Sequence, residues 1–82
     1  MIGYNAIGLG SNSVVLGNSS VATTALRGYV GVGTATPTAI LHVKAGTADA
    51  GTAPIKLTSG TNLGTPEAGT IEFDGTYFYI TI

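Results

Sequence analysis

The 82-residue chain has no cysteine and no tryptophan, a single histidine, a single methionine, and charged residues at only 9%. Without cysteine, disulfides and thiolate metal sites are excluded, so fold or assembly must supply the stability. One histidine leaves no second imidazole within a chain for a metal pair or a catalytic relay. Charge is scarce, since soluble domains usually carry about 25% charged residues. No charged side chain precedes Arg27, and the three basic residues stand singly at 27, 44 and 56. No basic stripe exists, so nucleic-acid binding is not expected. Membrane insertion is not expected either, because no apolar run is long enough to span a bilayer. Residues 1–26 also lack the basic start and unbroken apolar core of a signal peptide.

What remains is glycine (13 residues), threonine (13), alanine (10) and an overall hydrophobic content of 44%. A folded monomer of this size buries only about 60–65% of its unfolded surface. With so little charge it would expose large neutral and apolar areas and associate. The composition therefore predicts an obligate homo-oligomer, in which part of that surface becomes an interface.

Seven-residue units open the chain. Ile2–Gly8, Leu9–Val15 and Leu16–Ala22 superpose, with Ile2, Leu9 and Leu16 in one slot and Ile7, Val14 and Val21 in another. Gly3, Gly10 and Gly17 recur at the same interval. A coiled coil also has a period of seven, but it wants helix formers and charges beside its seam. Each interior glycine costs a helix about 1 kcal/mol relative to alanine, and Ser/Asn pairs prefer turns. Within a unit the apolar residues alternate as in strands, near 5–9, 13–16 and 20–26. A unit this short cannot bury its own apolar face and must stack on neighbours, as in a solenoid. The pattern decays after Val21, where Thr23 and Thr24 fill the slots of Leu16 and Gly17. The chain begins mid-repeat and is expected to be an excerpt of a longer protein.

Two regions follow, a repeat segment at 1–28 and a β-rich segment at 29–82. The second has short strands expected at Tyr29–Val32, Ala39–Lys44 and Pro54–Thr58, with Pro37 ordering the first link and Ala45–Ala53 as a spacer. Thr70–Phe73 and Thr76–Ile80 flank Asp74-Gly75, which predicts a two-residue type I′ hairpin. Four of the six aromatics lie in that hairpin: Phe73, Tyr77, Phe78 and Tyr79.

The stretch Asn5-Ala-Ile-Gly-Leu-Gly-Ser-Asn-Ser-Val-Val-Leu-Gly-Asn-Ser-Ser-Val21 resembles the head repeats of trimeric autotransporter adhesins. The Gly10–Ser13 and Gly17–Ser20 turns carry the match, whereas Gly3–Ala6 lacks the serine. Val30-Gly-Val-Gly-Thr-Ala-Thr-Pro-Thr-Ala-Ile-Leu-His-Val43 is similar to a segment of phage tail fibres and bacterial surface fibres. Pro66-Glu-Ala-Gly-Thr-Ile-Glu-Phe-Asp-Gly-Thr-Tyr77 resembles sequence that often follows it there. The resemblance implies an all-β homotrimeric fibre with a short left-handed parallel β-roll of about two seven-residue units per coil. It also implies a location outside the cell, on a virion tail fibre or a cell surface. It brings no catalytic residue with it.

The candidates for chemistry are few. Gly28 and Gly33 have the spacing of a phosphate loop, but Thr34 stands where the lysine belongs, and Gly31-Val-Gly33 lacks a third glycine and a following helix. Those glycines are expected to serve turns and close chain packing. His42 shares a strand face with Ile40 and Lys44; three copies around an axis are conceivable as a metal or anion site, but Lys44 disfavours a cation. A hydrogen-bonded or solvated histidine is favoured. Glu72 and Asp74 have the spacing of paired carboxylates, yet Asp74 suits the hairpin turn and Glu72 a solvent-facing strand position. Asn18-Ser19-Ser20 matches a glycosylation sequon but coincides with a repeat turn. An ice-binding face needs a threonine array on each coil, and the repeat has only Thr23-Thr24. Tyr4, Tyr29 and Tyr77 could stack on sugars if exposed.

The expectation is therefore an all-β fold, with a β-roll at 1–28 and a β-meander or interwoven strands after it, without long helices. No catalytic, metal or cofactor-binding residue is assigned, and no enzyme activity. The expected function is structural: a trimeric fibre segment that spaces and presents an attachment region, its partners two further copies of itself. The alternative is a module that itself binds a host-surface glycan.

Overall fold

The computed structural model describes residues 2–3 and 5–82. Among them there is no helix, and the regular structure consists of four three-residue strands in two separate two-stranded sheets. Glycine, threonine and β-branched residues are poor helix formers, which accounts for the absence of helices.

β1 (Val30–Val32) and β2 (Leu41–Val43) pair in parallel, with Val30 opposite Leu41, Gly31 opposite His42 and Val32 opposite Val43. Backbone bonds from Val30 N to the Ile40 carbonyl (2.8 Å) and from Lys44 N to the Val32 carbonyl (2.9 Å) extend the ladder at both ends. This pair is not an antiparallel meander. Residues 33–40 return the chain to the starting end of β1 without a helix. A parallel crossover usually takes a dozen or more residues, but three-residue strands span only about 10 Å, and eight residues suffice.

β3 (Ile71–Phe73) and β4 (Phe78–Ile80) form the expected antiparallel hairpin. Its register differs from the expected one. A loop of Asp74-Gly75 would set Phe73 opposite Thr76, whereas Phe73 lies opposite Phe78, two residues further along. Asp74 N donates to the Tyr77 carbonyl (3.3 Å), so Gly75 and Thr76 form the turn. A type I′ turn at Asp74-Gly75 needs positive φ at both residues; Gly75 has φ 99°, but Asp74 is not in that region. Further bonds from Gly69 N to the Thr81 carbonyl (2.6 Å) and from Thr81 N to the Thr70 carbonyl (3.1 Å) lengthen the hairpin.

In the repeat region the expected strands near 5–9, 13–16 and 20–26 are not formed, and the strand expected at Pro54–Thr58 is also absent. A strand exists only where a partner accepts its hydrogen bonds. Among the described residues here the one pairing is a parallel bridge between Ile2 and Leu16, two units apart. Ile2 N donates to the Val15 carbonyl (2.6 Å), and Gly17 N donates to the Ile2 carbonyl (2.5 Å). The glycines that follow, Gly3 (φ 122°) and Gly17 (φ 83°), then turn both segments away. Leu9–Val15 would need its partner in residues 23–29, where the repeat has already decayed.

No described residue is buried, and the described residues form no hydrophobic core. Its radius of gyration is 16.0 Å, whereas a compact domain of this length has about 12 Å.

Candidate functional site

A polar arrangement lies on one face of the β3–β4 hairpin. Alternation places Glu72 and Tyr79, which are opposite each other, on this face, and Asp74 and Tyr77 continue it. The Asp74 Oδ1 accepts hydrogen bonds from Thr76 N and Tyr77 N, both at 2.8 Å, and Oδ2 accepts from the Tyr79 hydroxyl at 2.7 Å. These donors, the Tyr77 amide first and then the Tyr79 hydroxyl, hold the Asp74 carboxyl below its usual value. The same bond raises Tyr79 above the ordinary phenol value, because it stabilises the neutral hydroxyl; a hydrogen bond from Asn62 acts the other way. Tyr77 and Tyr79 meet edge to face, with ring centroids 6.5 Å apart.

Residues 59–63 lie against this polar face and the adjoining edge. Gly60 N donates to the Phe73 carbonyl (3.0 Å), and Leu63 N donates to Glu72 Oε1 (2.7 Å). Ser59 reaches the turn, where a Cβ on Gly75 would come within 2.6 Å of the Ser59 Oγ. Glu72 is thus half-buried and clamps a loop, where a solvent-facing position was expected. Each carboxylate has a structural partner, and the two do not form a paired acid–base site. Asn62 Oδ1 is enclosed without a hydrogen-bond partner.

His42 is tied to the loop before it. Its Nδ1 accepts from Thr38 N at 3.0 Å. In the neutral ring the proton then sits on Nε2, so neither nitrogen offers a free lone pair to a metal. Among the described residues no group of three His, Cys, Asp or Glu side chains is placed to hold a metal ion. The phosphate-loop spacing is likewise occupied by structure. β1 lies between Gly28 and Gly33, and a Cβ on Gly31 would collide with the Thr34 carbonyl. A Cβ on Gly33 would come within 2.9 Å of the Lys44 Cβ. Close packing explains both glycines.

In the sequon, Asn18 Oδ1 accepts from Ser20 N (2.8 Å) and the Asn18 carbonyl accepts from Val21 N (3.2 Å), a turn as expected. The turns also use a signal that the sequence reading missed: Asn5 and Asn12, seven apart, both take left-handed φ values of 55° and 59°. Asparagine is the residue other than glycine that tolerates this region best, so its recurrence two positions after Gly3 and Gly10 was a readable cue. Beside the third turn is an open groove of about 480 Å³, lined by Asn5, Ile7, Leu16 and Asn18 among others, with no ionisable side chain among the described residues.

Of the three tyrosines considered for sugar stacking, Tyr4 lies outside the described residues. Tyr29 and Tyr77 are both exposed. Set against protein-family models, curated proteins and solved structures, the chain matches none of them.

Each sheet also has one wholly apolar face. Val30, Val32, Leu41 and Val43 share a face of the parallel pair, and Ile71, Phe73, Phe78 and Ile80 share the hairpin face opposite the polar network. Neither face contains a charge. Both apolar faces are formed by paired strands of the described chain.

Proposed function

We propose that the chain is a structural segment of a homotrimeric fibre that spaces and presents an attachment region outside the cell, on a virion tail fibre or a cell surface. The observation that carries this reading is the missing core: the chain is 44% hydrophobic, yet no described residue is buried. Its accessible surface is 7156 Å², against roughly 4,500 Å² for a folded monomer of its mass. Covering the excess takes about 2,600 Å² per chain, within the range of obligate interfaces. Burial of that apolar surface between copies would supply the hydrophobic stabilisation that the single chain lacks.

In this reading residues 1–28 form a short left-handed parallel β-roll. The Ile2–Leu16 bridge supports it, since two seven-residue units per coil require parallel pairing at an interval of fourteen. The helix-free parallel return from β1 to β2, outside that segment and at an interval of eleven residues, is a second parallel pairing in the chain. The chain supplies spacing and surface, and no catalytic group is assigned to it. Sedimentation equilibrium at micromolar concentration is expected to give three times the chain mass of 8.2 kDa. A compact, folded monomer would overturn the proposal.

A second reading, direct binding of a host-surface glycan, is favoured by the exposure of Tyr29 (63%) and Tyr77 (65%). Aromatic rings in such positions offer apolar faces to sugars. Glycan-array binding that is lost in Tyr77→Ala with the fold intact would establish it; an array without signal removes it.

A further inference from the structure

We infer that the apolar hairpin face, Ile71, Phe73, Phe78 and Ile80, is the surface on which copies of this chain meet, turned toward their shared axis. The inference rests on the trimeric reading above and names the contact within it.

Phe73 and Phe78 stack across the hairpin, with ring centroids 4.6 Å apart and planes inclined by 24°. Backbone bonds at Thr70–Thr81 and Asp74–Tyr77 make Phe73–Phe78 one of the alternate, non-hydrogen-bonded pairs, whose side chains approach more closely. Ile71 and Ile80 pair next to them on the same face. The result is a continuous apolar strip, yet Ile71 is 62% exposed, Phe78 65% and Ile80 69%. Such a strip exposes on the order of 400 Å², enough to mark an interaction surface and about half of one partner's share of a standard interface.

The polar side of the hairpin is already engaged by its own chain. Leu63 N binds Glu72, Gly60 N binds the β3 edge at Phe73, and Asp74 accepts from Thr76, Tyr77 and Tyr79. Tyr77 stays exposed on that side, but the continuous apolar strip lies on the other, which is the side of this hairpin suited to a second copy.

Charge selects the partner. A residue on a rotation axis meets its own copies, so any charge there faces like charge. This strip has none, and the nearby carboxylates of Glu72 and Asp74 sit on the opposite face with donors of their own. The exposed area points the same way, because about 2,600 Å² per chain needs cover. A second and third copy meet both requirements.

The absence of native cysteine makes the test direct, since a single introduced thiol reports its own proximity. Under mild oxidation Ile80→Cys is expected to give covalent dimers at least about tenfold faster than Tyr77→Cys, because only facing Cβ atoms about 4 Å apart can bridge. Phe78→Ser is expected to abolish the trimer in sedimentation, and Phe78→Leu to retain it. A native trimer in which Ile80→Cys does not bridge, or Tyr77→Cys bridges as fast, overturns this inference and leaves the trimeric reading standing. Protection of the face by an added glycan alone would assign it to a ligand and overturn the inference too. A monomeric wild type removes the trimeric reading itself.

Discussion

Gly3 and Gly17 pack backbone against backbone: a Cβ on Gly3 would lie 3.0 Å from the Gly17 Cα and 3.2 Å from its nitrogen. They are the same slot of the seven-residue unit, two units apart, directly after the Ile2–Leu16 bridge. At Gly3 and Gly17 the recurring glycine is therefore a close backbone contact as well as a turn residue.

That contact separates two glycines of nearly equal conformation. Gly3 has φ 122° and Gly10 φ 113°, but a Cβ on Gly10 meets nothing within 4 Å. Both Gly→Ala changes strain the backbone, by about 1–2 kcal/mol. Only Gly3→Ala also pushes the paired units apart. Thermal denaturation is expected to rank Gly3→Ala clearly below Gly10→Ala; equal melting temperatures would show that the Gly3–Gly17 approach contributes nothing.

Asp74 makes the hairpin acid-sensitive. Its folded value is lowered, so its contribution is fully present above the unfolded carboxylate value near 3.8 and is lost as pH falls through the lower, folded value. A pH series of melting curves should fall in that acid window for the wild type. Asp74→Ala should lower stability at neutral pH and flatten the same limb. An unchanged acid limb would mean that Asp74 is not bonded as described.

Tyr79 works at the other end of the scale. Its folded value is raised, so its contribution is present below the unfolded phenol value of about 10 and lost as pH rises through the folded value. Tyr79→Phe should remove that alkaline loss and leave the Phe73–Phe78 stack in place. Ultraviolet titration provides the check, because the wild type should show a late-ionising phenol that Tyr79→Phe lacks.

Leu16 tests the assembly from the repeat end. In the single chain it is 52% exposed, and an aspartate at such a position would cost a monomer little. Packed against neighbouring chains, an ionised carboxylate costs several kcal/mol. Leu16→Asp is expected to abolish both trimers and soluble folding. A variant that sediments and melts like the wild type would show that this slot faces water in the assembly.

The legible part of this protein is local. Glycine, threonine and β-branched residues excluded helices, the seven-residue slots placed the glycines that turn the chain, and Asp74-Gly75 located the hairpin. Each of these follows from the φ/ψ preferences of a residue and its immediate neighbours, which are written into the sequence.

The register was not local. The hairpin turns at Gly75-Thr76 because the Asp74 carboxylate captures the Tyr77 amide and the Tyr79 hydroxyl while Phe73 stacks on Phe78, and those three contacts act together. Likewise the parallel sense of β1 and β2 depends on a pairing made across an eight-residue return, and the strands expected at 5–9, 13–16, 20–26 and 54–58 lacked partners. Strand identity requires a second segment to receive its hydrogen bonds, and propensity says nothing of where that segment lies. The sequence by itself determined which residues turn and which extend; only the tertiary structure decided which extended segments found partners, because pairing is a property of two segments and not of one.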